Sequence, residues 1–349
     1  MKIGKYDVEI EGIDKESFKE TQKRLDNLTK PLGSLGRLEE MAKYVVAITG
    51  KKNPTLKNKV IITMAGDHGV VEEKVSAYPK EVTPQMVYNF LKGGAGINVL
   101  ARHIGAKVIV VDLGVASDLE KHPDLIIKKI NYGTKNFAKG PAMTKEEAIK
   151  SIEAGLDIVL SEKNIDIVGT GDMGIGNTTP SSAITSVFTK QKVEIVTGRG
   201  TGVDDKTFEN KIKVIKKGIK LNKPNPKDAL DVLSKVGGFE IGGLTGVILG
   251  GAMRKIPVVI DGFISGAAAL IAVNISPKVR EYLFASHVSV ERGHKIALDY
   301  LGLKPILNLD LRLGEGTGAA LAINIIDAGV KILNEMATFE SAGVDEKIK

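Results

Sequence analysis

The sequence contains no cysteine and no tryptophan, and only five of its 349 residues are histidine. Without cysteine the chain cannot form disulfide bonds, use a thiol nucleophile, or hold zinc or an iron–sulfur cluster through thiolates. Aromatic residues make up only 5% of the chain, which argues against a platform that stacks nucleic-acid bases. A histidine-rich metal site is also disfavoured, and we expect neither a metal nor a cofactor in this protein.

Long apolar runs and blocks of like charge are missing as well. The longest apolar stretches, residues 242–253 and 262–273, are too short and too interrupted by glycine to span a bilayer. The net charge is +7, but the lysines are scattered and form no nucleic-acid arm. Met1 is followed by a charged, mixed segment that does not resemble a signal peptide. We therefore expect a cytoplasmic protein that binds neither membranes nor nucleic acid.

Short apolar runs alternate with helical segments along the middle of the chain. The runs, each followed by glycine and polar residues, are 60–64, 108–113, 165–168, 193–196, 256–260 and, more weakly, 306–309. Thr83 and Pro84 predict the start of a helix that runs to His103. Thr144 and Glu147 have the spacing of a capping box at the start of another helix. This alternation predicts an α/β fold with a parallel sheet covered by helices on both faces.

Both ends of the chain have helical periodicity. Apolar residues recur at helical spacing in segments 15–28, 36–48 and 317–336. We predict that the two termini together form a small second domain.

Five glycine-rich loops follow the apolar runs and are candidates for ligand binding. They are residues 65–69, 169–177, 198–202, 261–262 and 314–318. A parallel sheet binds its ligand at the carboxyl ends of the strands. Glycine lets backbone amides approach a ligand closely, and the following helix supplies a partly positive end. The pattern favours a phosphate-bearing ligand over tight turns alone.

One of these loops has the glycine spacing of dinucleotide-binding proteins. Gly169, Gly171 and Gly174 fit that spacing after a strand and before a helix. However, Gly198 and Arg199 occupy the region where an acidic residue would bind the adenosine ribose. An NAD(P)-dependent oxidoreductase is therefore a less favoured alternative.

Two acidic clusters allow more than one interpretation. Asp204 and Asp205 superficially resemble the paired acids of diphosphate-sugar phosphoribosyltransferases. Because they follow Gly-Thr-Gly-Val, we interpret them as N-terminal acids of a helix that ends near Lys220. Asp67 and His68 could be a metal-binding or catalytic pair. With no second histidine or carboxylate cluster nearby in the sequence, a positioning role or a satisfied hydrogen bond is favoured.

Glu315 lies between two glycines, after an apolar run and before an apolar helix. A carboxylate in that loop faces the mouth of the expected pocket. If partly desolvated, its pKa rises and it can act as a general base. It could equally be an N-terminal acid that the helix dipole favours. The pattern alone leaves both interpretations open.

Eight ordered segments resemble the nicotinate-nucleotide:dimethylbenzimidazole phosphoribosyltransferase family over nearly the whole chain. They are TKPLGSLGRLE (29–39), AGDHGVVEEKVSAYPKEVTPQMV (65–87), GGAGINVLAR (93–102), GTGDMGIGNTTPSSAI (169–184), GRGTGVDD (198–205), VIDGFISGAAALIA (259–272), SHVSVERGH (286–294) and LDLRLGEGTGAALA (309–322). The resemblance implies that ribose 5-phosphate moves from nicotinate mononucleotide to 5,6-dimethylbenzimidazole, with inversion from β to α. The implied products are α-ribazole 5′-phosphate and nicotinate.

The resemblance also implies an architecture. Residues 56–304 would form a large Rossmann-like catalytic domain. Residues 1–55 and about 305–349 would form a small helical domain, and two chains would form a homodimer.

Roles for individual residues follow from the same resemblance. Glu315 matches the family's general base. Asp172 matches an acidic position near the ribose, where we expect glutamate, so its carboxylate lies one methylene further back. The positions that match phosphate or ribose binding are Gly174, Gly200, Lys211, Gly262 and Asn177. The positions that match the pocket for the acceptor base are Ser76, Tyr78, Gln85, Met86 and Leu313.

The implied chemistry needs no metal. The nicotinate ring is bound through a positively charged nitrogen and leaves as a neutral pyridine nitrogen. One carboxylate is enough to remove the acceptor's N–H proton while its other ring nitrogen attacks. A non-catalytic protein of the same fold that binds the nucleotide without turnover remains the second alternative.

Overall fold

A six-stranded parallel sheet lies at the centre of the computed structural model, which describes residues 1–345. The strands of the protein are β1 (Lys2–Ile3), β2 (Tyr6–Asp7), β3 (Lys59–Gly66), β4 (Ala106–Gly114), β5 (Leu125–Ile127), β6 (Ile167–Met173), β7 (Val258–Ile260) and β8 (Leu283–Ala285). β1 and β2 pair separately as an antiparallel hairpin. The other six lie in the order β5-β4-β3-β6-β7-β8, and all neighbours are parallel. Counted within the sheet, this is the 3-2-1-4-5-6 order of a Rossmann fold. The predicted α/β fold with a Rossmann-like parallel sheet is confirmed.

Helices cover both faces of the sheet, and β3 is therefore buried along almost its whole length. The helices are α1 (Lys15–Asp26), α2 (Arg37–Thr49), α3 (Val82–Leu91), α4 (Gly96–Ile104), α5 (Lys145–Ser161), α6 (Thr178–Thr189), α7 (Val193–Val196), α8 (Asp205–Asn222), α9 (Ala229–Val236), α10 (Phe239–Met253), α11 (Phe263–Ile275), α12 (Arg292–Leu301), α13 (Thr317–Glu335) and α14 (Phe339–Ala342). Short 3₁₀ helices span Gly69–Glu73 and Pro277–Tyr282. Within the described part of the chain, no helix combines the length and apolarity that crossing a bilayer requires.

Two of the predicted strands are wrong. Residues Val193–Val196 form α7, a single helical turn. Val193 and Val196 are buried three residues apart, whereas Glu194 and Ile195 between them are exposed, so the run has the period of a helix. Residues 306–309 form no strand; Leu307 makes one isolated parallel bridge, to His287. The sheet instead contains β5 and β8, which are too short to be recognised from periodicity.

The helix predicted from Thr83 to His103 is two helices, α3 and α4. The chain breaks between them at Gly93, whose φ of 74° lies in the left-handed region. Thr83 lies inside α3 and does not cap it; its side-chain oxygen accepts a hydrogen bond from the Ile175 amide. The predicted capping box of Thr144 and Glu147 at the start of α5 is confirmed.

The two termini pack against each other. α2 contacts both α1 and α13, and Leu28 pairs with Thr338 in an antiparallel bridge. A small apolar cluster joins these elements through Leu25, Leu28, Ala42, Val46 and Leu333. The proposed division into two domains stays a prediction, and residues 346–349 of the expected small domain lie outside the described residues.

The buried helix α10 packs directly against the backbone of α5. A Cβ added at Gly246 would overlap the carbonyl oxygen of Ile152, and one added at Gly155 would overlap the carbonyl oxygen of Gly243. Glycine is therefore required on both helices for this close approach.

Candidate active site

The ends of β3 and β6 lie side by side at the point where the strand order reverses. In an open α/β sheet this switch point is where ligands bind. Asp67 and His68 follow β3 there, and Asp172 and Met173 end β6. The loop that we expected to begin at Gly169 therefore begins later, because β6 runs on through Met173.

Gly169 and Gly171 belong to β6 and not to a turn that opens a helix. A Cβ at Gly169 would lie 3.1 Å from the Cβ of Ala319, and one at Gly171 would overlap the carbonyl oxygen of Glu315. Close packing accounts for both glycines: Gly169 packs against Ile61 of β3, whose Cδ1 would lie 2.5 Å from a Cβ, and against α13, and Gly171 packs against the loop that precedes α13. The spacing that suggested a dinucleotide site thus has a different cause in this protein.

Glu315 lies in a strained loop that approaches the end of β6. Its φ is 64°, and the flanking Gly314 and Gly316 have φ values of 82° and 98°. A left-handed conformation is unfavourable for a residue with a side chain and persists where its surroundings hold it. The Thr63 hydroxyl donates to the Glu315 carbonyl over 3.0 Å, and the Glu315 amide donates to the Asp172 carbonyl over 3.3 Å. These bonds fix the backbone that carries the carboxylate.

The Glu315 side chain is buried beside the start of α4. Its Oε2 accepts a hydrogen bond from the Ile97 amide over 3.1 Å. Burial raises the pKa of Glu315, although the amides of Ile97 and Gly96 act in the opposite direction. A carboxylate with a raised pKa is a stronger base once ionised, so the environment suits proton removal.

Asp172 is the second buried carboxylate of the site. Its Oδ2 accepts a hydrogen bond from Asn177 Nδ2 over 2.9 Å, and its Oδ1 is buried without a hydrogen-bond partner among the described residues. Burial, and then the negative charges of Asp261 and Glu240, raise the pKa of Asp172 well above its ordinary value. The structure therefore brings together Asp172, Asn177 and Glu315, three residues that sequence analysis selected.

This raised pKa predicts how stability depends on pH. The folded protein holds a proton on Asp172 that the unfolded chain releases above about pH 4. The free energy of unfolding should therefore fall as pH rises from about 4 towards the folded-state pKa. We expect Asp172→Asn, which has no proton to lose, to be more stable relative to wild type at alkaline pH than at acidic pH.

Urea unfolding at about pH 5 and about pH 9 measures this difference. The matched control is Asp7→Asn, which changes an exposed carboxylate and should leave the pH slope as it is in wild type. Equal slopes for wild type and Asp172→Asn would contradict the assignment of a buried, protonated Asp172.

Asp261, which follows β7, anchors the start of α13. Its Oδ2 accepts from the Gly316 amide over 3.2 Å and its Oδ1 from the Ala319 amide over 2.9 Å. Burial raises the pKa of Asp261 to about 7 against the opposing effect of these amides. By holding the first turn of α13, Asp261 also positions Glu315 directly before it.

His68 makes a buried pair with Glu240 at the start of α10. His68 Nε2 and Glu240 Oε1 are 2.8 Å apart, and both side chains are almost completely buried. Burial alone would lower the pKa of His68, but the charge and hydrogen bond of Glu240 outweigh it and raise that pKa. Asp67 Oδ2 accepts from the Ala116 amide over 2.8 Å. These contacts agree with the positioning interpretation of Asp67 and His68.

Lys211, Gly200 and Thr178 meet at the N-terminus of α6. The Lys211 ammonium is buried and donates to Thr178 Oγ1 over 2.7 Å. A Cβ at Gly200, whose φ is 54°, would lie 3.3 Å from Lys211 Nζ. Burial lowers the pKa of Lys211 to about 8, and Glu291 acts against this. A buried cation, a glycine-rich loop and a helix N-terminus are groups that favour anions, and we call Lys211, Gly200 and the start of α6 the anion cradle.

The other two glycines proposed for phosphate binding lie at the same edge of the sheet. Gly174 packs against the carbonyl oxygen of Gly66. A Cβ added at Gly174 would lie 3.3 Å from His68 Nε2. Gly262 is the N-cap of α11, near His287. Both follow the carboxyl end of a strand, but no described contact joins either glycine directly to Gly200.

The residues assigned to the acceptor base are only partly brought together. The Leu313 side chain lies against Gly96, beside the Glu315 carboxylate. Gln85 and Met86 are on α3, where Gln85 is exposed and Met86 packs on the core. The segment that contains Ser76 and Tyr78 reaches the 198–202 loop through a hydrogen bond from the Ala77 amide to Thr201. Ser76 is half-buried, and the Tyr78 side chain is 53% exposed. Within residues 1–345, no described contact links Tyr78 or Gln85 to Glu315.

The sequence pattern predicted no individual role for Thr178, Glu240, Glu291 or Asp261. Thr178 could have been predicted, because it directly follows Asn177, a candidate site residue at the start of α6. Asp204 caps α8 by accepting from the Thr207 amide over 2.8 Å, so its interpretation as a helix N-terminal acid is confirmed. Among the residues that the structure describes, no three His, Asp or Glu side chains are grouped so as to hold a metal ion.

Comparisons with known proteins identify the family of this chain. A family model described as a phosphoribosyltransferase matches residues 10–344. The nicotinate-nucleotide--dimethylbenzimidazole phosphoribosyltransferase of Geobacter sulfurreducens is 60% identical over 336 residues, which is 96% of each chain. The protein of that name from Chloroflexus aggregans is 55% identical over 337 residues, again 96% of each chain. The crystal structure of the Thermus thermophilus enzyme, 42% identical, superposes with a TM-score of 0.91 over 96% of this chain and 100% of that one. The chain therefore belongs to the nicotinate-nucleotide–dimethylbenzimidazole phosphoribosyltransferase family.

Proposed function

We propose that this protein transfers the phosphoribosyl group of nicotinate mononucleotide to 5,6-dimethylbenzimidazole, in the assembly of the nucleotide loop of cobalamin. The products are α-ribazole 5′-phosphate and nicotinate. The observation that carries the proposal is the buried Glu315 carboxylate, held in a strained loop at the switch point of the sheet. Full-length relatives that bear this activity in their names support it.

Glu315 is the general base of the proposed reaction. Its carboxylate takes the N–H proton of the benzimidazole, while the other ring nitrogen attacks C1′ of the ribose with its lone pair. The bond from C1′ to the nicotinate nitrogen breaks, and its electron pair neutralises the positive pyridinium. No metal is needed for this leaving group. Attack on the face opposite the leaving group inverts the configuration from β to α, as in inverting glycosidases.

The anion cradle is assigned to the phosphate of the nucleotide. Lys211 and the amides of Gly174, Gly200 and Gly262 hold the phosphate at three loops of the same sheet edge. Asp172 and Asn177, which hydrogen-bond to each other over 2.9 Å, face the ribose. Positive charge that develops on the ribose favours the ionised form of the neighbouring Asp172, and in that form its carboxylate stabilises the charge as the leaving group departs.

The acceptor base is assigned to the region between α3 and Leu313. Leu313 beside Glu315 and Met86 on α3 offer apolar surface for a planar ring. Ser76, Tyr78 and Gln85 complete the proposed pocket.

A cytoplasmic homodimer, with the two domains given above, completes the proposal. The dimer and the two domains are carried over from the family resemblance. Sedimentation equilibrium distinguishes a dimer from a monomer.

A turnover assay tests the proposed function. We expect purified protein with nicotinate mononucleotide and 5,6-dimethylbenzimidazole, without added metal, to form nicotinate and α-ribazole 5′-phosphate in equal amounts, as measured by chromatography. Nicotinate without the ribazole product would indicate hydrolysis, or a different acceptor base. A protein that binds the nucleotide but never consumes it would be a non-catalytic binding protein, and the proposal would be wrong.

A further inference from the structure

Glu291 already occupies part of the anion cradle. It is the N-cap residue of α12, and its side chain is buried. Its Oε1 accepts a hydrogen bond from the Gly200 amide over 2.7 Å. Its Oε2 is buried without a hydrogen-bond partner among the described residues. A Cβ at Gly198 would overlap this carboxylate, so the carboxylate lies against the 198–200 turn.

The groups around Glu291 are those that a phosphate needs. The Gly200 amide has one proton to donate, and it already donates it to the Glu291 carboxylate. The Lys211 ammonium lies beside Gly200 and makes its charged hydrogen bond to the hydroxyl of Thr178. The charge of Glu291 opposes the effect that burial has on the pKa of Lys211, so the two side chains interact electrostatically. The carboxylate therefore sits where an anionic ligand would be expected.

A phosphate and the Glu291 carboxylate cannot both accept from the Gly200 amide. Both are anions, and their repulsion in a buried site is much stronger than in water. Within residues 1–345 the Glu291 carboxylate accepts one hydrogen bond, so its withdrawal from Gly200 breaks few contacts. We propose that Glu291 is an internal competitor for the substrate phosphate, which must displace the carboxylate from Gly200 when it binds. The inference rests on the proposed function, because that function assigns Gly200 and Lys211 to the phosphate.

This arrangement makes Glu291 a specificity-determining residue. In the free protein its negative charge offsets part of the cost of burying the Lys211 ammonium, which donates to the Thr178 hydroxyl and to the Gly198 carbonyl. A ligand binds there only if its interactions with the Gly200 amide and the Lys211 ammonium are more favourable than those of the Glu291 carboxylate. A phosphate monoester, with up to two negative charges and several acceptor oxygens, meets this requirement.

The test is the substitution Glu291→Gln, which removes the charge but keeps an oxygen that can accept from Gly200. We expect the mutant to bind inorganic phosphate and nicotinate mononucleotide about tenfold more tightly by isothermal titration calorimetry without acceptor base. Nicotinate riboside, which lacks the phosphate, should bind equally to both proteins. In steady state the KM for the nucleotide should fall, and kcat should not rise in proportion.

Two controls separate competition from a purely structural role. Glu209→Gln on α8 makes the same change of net charge at an exposed position and should leave phosphate affinity as in wild type. Glu291→Asp keeps the charge but shortens the side chain, so phosphate affinity should lie between those of wild type and Glu291→Gln. If Glu291 only braced the turn, Glu291→Gln would bind phosphate as wild type does, and Glu291→Asp would bind it less tightly.

The outcomes distinguish this inference from the proposed function. If a folded Glu291→Gln protein binds phosphate as tightly as wild type or less tightly, the inference is overturned. The proposed function still stands in that case, provided that the wild-type protein forms the expected products. If Glu291→Gln does not fold, weaker binding by Glu291→Asp overturns the inference. A wild-type protein that binds neither phosphate nor the nucleotide overturns both.

Discussion

Glu315→Gln is expected to lower kcat by about 10²–10⁴-fold, the usual contribution of a general base. The amide has nearly the same shape and can still accept a hydrogen bond from the Ile97 amide, which the carboxylate accepts over 3.1 Å. The fold and the affinity for nicotinate mononucleotide should therefore be retained. Turnover, thermal unfolding and calorimetric binding of the nucleotide measure the three quantities separately.

The pH dependence of the wild-type enzyme gives a second test of the same residue. A base works only when it has lost its proton, and burial raises the pKa of Glu315. The pH at which kcat falls on the acid side should therefore lie above the ordinary glutamate pKa of about 4.3.

The control for Glu315→Gln is Glu40→Gln, at an exposed position on α2, which should turn over as wild type does. Near-normal turnover by Glu315→Gln would rule out the general-base mechanism.

Gly246→Val is expected to destabilise the protein by about 3 kcal/mol, towards the upper end of the cost of overpacking a core. The side chain would meet the backbone of α5 at the carbonyl of Ile152, and backbone cannot move aside as a side chain can. The helix propensity of valine is closer to that of glycine than the helix propensity of alanine is. With valine, the measured loss of stability therefore reports mainly the steric effect. Denaturant unfolding measures it.

Gly140→Val is the matched control for this substitution. A Cβ at Gly140 would have nothing within 4 Å, and the following proline favours the extended conformation that valine adopts readily. Its effect should stay within about 0.5 kcal/mol, as for most surface substitutions. Equal stability of the two variants would show that α5 and α10 can separate at little cost.

The sequence predicted the sheet well where the strands are long. β3 and β4 each bury an apolar run followed by glycine, a pattern that local periodicity identifies. β6 was located but not bounded, because the predicted run 165–168 shares only Ile167 and Val168 with it and the rest of the strand was predicted to be a loop. The strand predicted at 193–196 was wrong because a four-residue segment fits one helical turn as well as a strand. Only the exposure of Glu194 and Ile195 in the structure separates the two possibilities. β5 and β8 have three residues each and were missed. β7 is as short, but it was predicted because Ile256 and Pro257 extend its apolar run to five residues.

The candidate site could be predicted as a set of residues but not as a set of contacts. Glu315, Asp172 and Lys211 were selected from glycine-rich loops and from family resemblance. The contacts join segments that are far apart in the chain. The bond from the Gly316 amide to Asp261 spans 55 residues, and the bond from the Gly200 amide to Glu291 spans 91 residues. Nothing in the local pattern specifies such pairings.

The hydrogen bond from Thr63 to Glu315 has a consequence for the order in which the protein becomes active. It spans 252 residues, and contacts of such long range form late, because closing a long loop costs entropy before any contact repays it. During synthesis β3, β6 and the Lys211 cradle emerge well before α13. A nascent chain therefore contains the residues proposed to bind the nucleotide before it contains Glu315, the proposed base, and the contact that holds Glu315 forms only after the loop before α13 has been made.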